Sequence, residues 1–150
     1  MEYTKRRNLN RGYMKLDAWH RGMDLFALCF ELSKDVPDFK LRLQFRDAAQ
    51  SVLANIGEGY GRRTLPGYLQ YLYTAKGSLA ETLTCAIGLQ KVHLLNQAKF
   101  EKLDQLHYEV ENKLLRLIES LESMRGTNEW RDTLPPRNPT IQQSMNPCRE

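Results

Sequence analysis

Two Asp-x-x-His pairs, Asp17 with His20 and Asp104 with His107, and two separate glutamates, Glu58 and Glu81, are the side chains of this sequence best suited to holding a metal. In a helical bundle, a carboxylate from each of two helices and a carboxylate-x-x-His pair from each of the other two make a di-iron centre. Depth argues against closure here. If the helices run alternately up and down, Glu58 sits about one turn from the end where its helix exits, and Glu81 about four turns into the next helix from that same end. Their separation is then roughly 16 Å at 1.5 Å of rise per residue. Asp17 and His20 fall near Glu58, whereas Asp104 and His107 fall nearer Glu81, and aspartate reaches less far than the usual glutamate. No four-ligand shell closes, and neither a metal nor another cofactor is expected.

The stretch Gly57-Glu58-Gly59-Tyr60-Gly61-Arg62-Arg63 could be taken for a phosphate loop. No strand precedes it, no Gly-Lys-Ser/Thr closes it, and its spacing is not that of a dinucleotide fingerprint, so a glycine-rich helix end is the better reading. A backbone nest there could still hold one phosphate of a nucleic acid. Nucleophilic catalysis has no support, because no Ser or Cys lies in a nucleophile elbow. Tyr60, Tyr68, Tyr71 and Tyr73 cluster beside Arg62 and Arg63, and aromatic rings among guanidinium groups can stack on unpaired bases. The plainer alternative puts Tyr68 in the core and the others at an interface.

The elements that must position these residues are helices. Leu16, Trp19, Met23, Phe26 and Phe30 alternate steps of three and four and predict a first helix ending before Pro37. A second runs from about Leu41 to the glycine cluster, with the apolar row Phe45, Ala48, Val52 and Ile56. Thr64 is a fitting N-cap for the third, with Pro66 tolerated in its first turn. Its seam is Tyr68, Leu72, Ala75, Leu79, Thr82, Ala86, Leu89 and His93. Asn96 can cap the fourth, whose seam is Phe100, Leu103, His107, Val110, Leu114, Leu117, Leu121 and Met124. Short connections make neighbours antiparallel, which predicts an all-α, up-down-up-down four-helix bundle. Residues 1–13 form a basic flexible arm, 14–125 the bundle, and 126–150 a proline-rich, disordered tail.

Along one face of the second helix lie Ser51, Asn55, Glu58 and Arg62. Ser78 and Glu81 lie one turn apart on the third, beside the small residues Gly77, Ala80, Thr84 and Gly88. Polar groups beside an apolar seam need partners, so Asn55 and Glu58 are expected to meet Ser78 and Glu81 in a network that fixes register.

At 150 residues and 41% hydrophobic content the chain fits one domain with a real core. The longest apolar run, Leu25 to Phe30, is too short to span a bilayer. Arg6-Arg7 is not followed by a hydrophobic segment, so no export signal is recognised and a cytoplasmic location is expected. Cys29, Cys85 and Cys148 are widely spaced and argue against a disulfide framework or a zinc site. Lys5, Arg6, Arg7, Arg11 and Lys15 face Glu2 alone in the first 15 residues, enough to account for the whole formal net charge of +4. Segment 40–76 is also basic, and the remainder is acidic. Such an arm and second helix suggest a polyanion partner.

Ser51-Val52, Asn55-Ile56, Glu58-Gly59 and Gly61-Arg62, followed by Gly77-Ser78-Leu79 and Glu81, resemble a family of small four-helix bundles encoded within intervening sequences of bacterial 23S ribosomal RNA genes. Leu16, Trp19, Leu25 and Pro37 extend the likeness, which runs from about Leu16 to Met124. The resemblance implies a homopentameric ring with no enzymatic activity. A related branch, the accessory protein of diversity-generating retroelements, looks like a basic pentameric barrel that engages a reverse transcriptase and nucleic acid. The expectation is therefore a non-catalytic assembly that binds RNA or DNA through Lys5, Arg6, Arg7, Arg11, Arg62 and Arg63. The alternative is a structural adaptor for a protein partner such as a reverse transcriptase, without direct nucleic-acid contact. A bundle enzyme ranks behind both.

Overall fold

Side-chain caps fix where the helices begin. Thr64 and Asn96 stand in extended backbone, and their side chains accept hydrogen bonds from the backbone N–H groups of Gly67 and Lys99 at 3.2 and 2.8 Å. Each satisfies a donor that a first helical turn leaves orphaned. Asp38, directly after Pro37, does the same for Leu41 at 2.8 Å, so the second helix starts a little earlier than its apolar pattern suggests. The computed structural model describes residues 9–62 and 64–127. Its helices are α1 (Asp17–Ser33), α2 (Phe39–Tyr60), α3 (Leu65–Lys91) and α4 (Gln97–Glu122), preceded by a 3-10 helix over Leu9–Lys15.

Each helix packs on its neighbour in sequence, α4 packs back on α1, and neither diagonal pair comes into backbone contact. This is the expected antiparallel up-down-up-down bundle. The predicted α3 seam is buried from Tyr68 through Leu89, and Leu103, His107, Val110, Leu114 and Leu121 are buried on α4. His93 is exposed instead, because it adopts φ of 62° in the chain reversal after α3, where Leu94 and Leu95 both donate to the Leu89 carbonyl. No described helix is long and apolar enough to cross a membrane.

On α1 the core stripe is displaced from the expected one. Ala18, Gly22, Leu25, Cys29 and Leu32 are buried, while Met23 is 38% and Phe30 41% exposed and Trp19 and Phe26 are half-buried. Both stripes are apolar, and packing decides between them. The buried one carries small residues that let α2 approach: Leu53 Cδ2 lies 3.0 Å from where a Cβ on Gly22 would stand. Turning Trp19, Met23 and Phe30 inward would hold the helices apart.

Helix α2 continues through Gly57 and Gly59 to Tyr60, and Gly61 caps it with φ of −75°, so the glycine-rich stretch is the expected helix end and forms no phosphate nest. Gly59 is there for close approach, since a Cβ would come 2.8 Å from that of Tyr71. From Leu9 onward the arm is part of the fold. Tyr13 meets Trp19 and Tyr60 edge-on, with ring centroids at 5.5 and 6.4 Å, and the Tyr60 ring lies where a Cβ on Gly12 would be. Beyond Thr127, the expected disordered tail lies outside the described residues.

Candidate nucleic-acid interface

The start of α1, the end of α2 and the start of α3 share one end of the bundle, and the 3-10 helix packs there on α1 and α2. Aromatic rings link these elements. Trp19 contacts His20 and Tyr13, Tyr13 contacts Tyr60, and Tyr60 contacts Tyr68 at 6.1 Å, mostly edge to face. Burial, with Tyr60 adding to it, holds the Tyr68 hydroxyl protonated well above the usual range. Tyr68 is therefore a core residue, as the plainer reading had it.

Arg62 follows α2 and lies over the Tyr71 ring, 4.4 Å from its centroid, while donating to the Tyr71 hydroxyl. Its guanidinium is exposed and meets no carboxylate among the described residues. Arg11 and Lys15 are also exposed, on the 3-10 helix at this same end. Lys5, Arg6, Arg7 and Arg63 lie outside the described residues; the first three precede Leu9, where the described chain enters this end.

The basic residues of α2, Lys40, Arg42 and Arg46, all lie in its first half, away from Arg62. Arg46 donates through Nε to the buried hydroxyl of Ser33 at 2.6 Å and sits 4.1 Å over the Phe30 ring. Arg42 donates to the Val36 carbonyl at 3.4 Å. Both brace the α1–α2 turn, with Arg46 roughly 24 Å and Arg42 roughly 30 Å along the helix from Arg62 at 1.5 Å per residue. A continuous basic face on α2 does not form.

Nor does the full polar network. Ser51 and Ser78 share a hydrogen bond of 2.9 Å between hydroxyls, and the Asn55 amide donates to the Ser51 carbonyl and hydroxyl at 2.7 and 3.1 Å. Ser78 is also within reach of the Thr74 carbonyl, at 3.1 Å. Glu58 and Glu81 are exposed, and their carboxylates make no hydrogen bond or ion pair with a described residue. Antiparallel register explains this. With Ser51 opposite Ser78, Glu58 comes level with Tyr71 and Glu81 with Ala48, so the two acids stand roughly 15 Å apart along the bundle. The residue that completes the cluster is Ser51, legible in the sequence from its place on the same face as Asn55.

No cluster of described residues could hold a metal ion. His107 is buried, and its Nε2–H donates to the Leu79 carbonyl at 2.7 Å, so this imidazole is engaged in packing α4 on α3. His20 is exposed in the first turn of α1 and lies against Trp19.

Sequence reasoning did not anticipate a groove beside this end. Tyr13, Trp19, Met23 and Phe26 on one side and Gln50, Leu53, Ala54, Gly57 and Glu58 on the other enclose about 820 Å³, with Gly61 and Arg62 at its edge. Its aromatic and apolar wall is the α1 stripe that packing turned out of the core. The signal was the width of the apolar face on α1, which exceeds what one core can take.

No curated protein matches this chain. The family model of the 23S rRNA-intervening sequence protein matches residues 14–116, which take in the bundle from the end of the 3-10 helix through most of α4. With the spaced motif of α2 and α3 set in an antiparallel bundle, the chain belongs to the 23S rRNA-intervening sequence protein family.

Proposed function

We infer that this protein is a non-catalytic, self-associating bundle that binds RNA, or an RNA–protein complex, through the basic end built around Arg62. The observation that carries the reading is the placement of Arg62. An exposed guanidinium held on an aromatic ring, with no carboxylate partner among the described residues, is preorganised to donate two bonds to a phosphate. Arg11 and Lys15 stand at the same end, and Lys5, Arg6 and Arg7 join the chain there. The family's name, with its reference to ribosomal RNA genes, supports the class of partner without identifying the molecule. Self-association, with five subunits as the resemblance implies, would repeat each weak contact and add avidity. Exposed Phe30, Phe39, Ile87 and Val92 give such an assembly apolar surface to bury.

Deleting residues 2–8 tests the electrostatic part, because it spares the packed 3-10 helix. Binding to RNA should weaken similarly across sequences, and the salt dependence should flatten, since each lost phosphate contact releases fewer counterions. Equal affinity of the truncated and full chains at the same salt would defeat the role of the arm. Light scattering that returned a monomer at micromolar concentration would defeat the assembly.

One observation favours the adaptor alternative. At the end away from Arg62, Phe39 is 67% exposed with Leu41 and Leu43 beside it, a surface suited to a protein partner. A reverse transcriptase, as the likeness to retroelement accessory proteins implies, is the partner of this second reading.

A further inference from the structure

The groove beside the basic end has a lip with two unlike charges. Glu58 and Arg62 are four residues apart, with the acid N-terminal to the base, an order that ordinarily favours an ion pair along a helix. Here they do not pair. Arg62 is drawn over Tyr71, and the Glu58 carboxylate has no hydrogen-bonding or ionic partner among the described residues. Between and below them lie the apolar walls given by Trp19, Met23 and Leu53. The volume of about 820 Å³ falls within the ~300–1,000 Å³ usual for small-ligand sites, where apolar walls and a few polar groups fix orientation.

We propose that this groove takes one unstacked guanine of a single-stranded nucleic acid. Glu58 accepts hydrogen bonds from its N1–H and 2-amino group, the base lies against Trp19 and Met23, and Arg62 holds the adjoining phosphate. The proposal rests on the nucleic-acid reading above and adds a base preference to it. The chemistry of the base edges selects guanine. Its Watson–Crick edge presents two neighbouring donors that match the two oxygens of one carboxylate. Adenine and cytosine each offer one amino group beside an acceptor nitrogen, and uracil flanks its single N–H with two carbonyls; all three set an acceptor against Glu58. A duplex keeps that edge paired, so the ligand is a loop, an end or a single strand. A purely apolar peptide would fill the walls and leave both charged groups without partners, which makes it the weaker occupant.

The test uses the full chain and labelled single-stranded RNA of one length at fixed salt: an all-uridine strand, the same strand with one central guanosine, and the same with inosine, which lacks the 2-amino group. One guanosine should tighten binding on the order of tenfold, and inosine should return part of that gain. Glu58→Gln should abolish the preference, bringing the affinities for the guanosine-containing and all-uridine strands to the same value. Thermal melting of the variant checks that the fold is kept. Guanosine monophosphate should also change the Trp19 emission of a Trp130→Phe variant. Measurable RNA binding with no guanosine preference, or a preference that survives Glu58→Gln, would overturn the groove assignment while the general nucleic-acid reading stands. Failure to bind any strand would remove both. A groove that takes an amphipathic peptide and gives no Trp19 response to the nucleotide would overturn the proposal in favour of a protein ligand.

Discussion

Replacing Gly59 by alanine adds one methyl group where α2 passes close to α3. The new Cβ would lie 2.8 Å from Tyr71 Cβ, 3.0 Å from Tyr68 Cδ2 and 3.3 Å from the Tyr68 carbonyl oxygen. Tyr71 Cβ is bonded directly to the α3 backbone, so relief requires moving a helix and not merely a side-chain tip. Overpacking of this kind costs about 1–3 kcal/mol. Alanine recovers less than the ~1 kcal/mol that separates it from glycine in a helix interior, because Gly59 is next to the last residue of α2. The net effect is destabilisation of up to about 3 kcal/mol. Gly77 supplies the control, since it lies on the exposed face of α3, well inside the helix, and a Cβ there meets nothing within 4 Å. The same substitution at Gly77 should stabilise by about 0.8–1.0 kcal/mol. Urea midpoints compared at a common slope should therefore move in opposite directions. Sedimentation run alongside keeps the assembly state equal between the variants. A Gly59→Ala midpoint at or above that of the parent would refute the close approach.

The polar contacts predict a second contrast. Ser78→Ala should cost on the order of 1 kcal/mol by taking the partner from Ser51, whereas Glu58→Ala should stay within about 0.5 kcal/mol in the same urea melts. His107→Phe keeps a buried ring but drops the donor to the Leu79 carbonyl, and a loss of about 1 kcal/mol is expected from its denaturation midpoint. Alkali should destabilise the fold. Burial, helped by Cys85, pushes the Cys29 thiol up from 9.0 to about 12. The unfolded chain releases that proton first, so the stabilisation is complete below about pH 9 and is lost as pH rises toward 12. Between about pH 9 and 10.5 the Cys29 share of the loss is ~2 kcal/mol, and Cys29→Ala should flatten that part of a stability–pH curve.

Local signals were the most legible in the sequence. Thr64 and Asn96 could be identified as caps because each precedes an apolar period and needs only its own first turn to act. Asp38 was harder to see, because Pro37 and Asp38 together look like linker until the Leu41 N–H is shown to need an acceptor. The seams of α2, α3 and α4 followed from spacing, whereas on α1 two apolar stripes competed and only the packing of Gly22 against Leu53 chose between them. The 3-10 helix carries no period at all; it is held by Tyr13 and by the absence of a side chain on Gly12. At the candidate site, residue types were readable but register was not. Glu58 and Glu81 lie on plausible faces, yet which residues stand level depends on how the two helices slide past one another. That is also why the groove escaped notice: its walls come from separate elements, and one of them is a stripe that the core declined.

Because α4 packs back on α1, the four helices are joined in space as a closed circuit whose covalent path is open at a single link. Both free ends of the bundle, near Leu16 and Met124, belong to the end that carries Arg62. A short connector across that gap would let the chain be cut at the α3–α4 reversal instead, around His93, with the order of helices rotated and their neighbours unchanged. Such a permutant would carry its new termini to the far end and leave the basic end bare of extensions. It would thus separate, within one fold, the contribution of the bundle surface to ligand capture from that of the flanking segments.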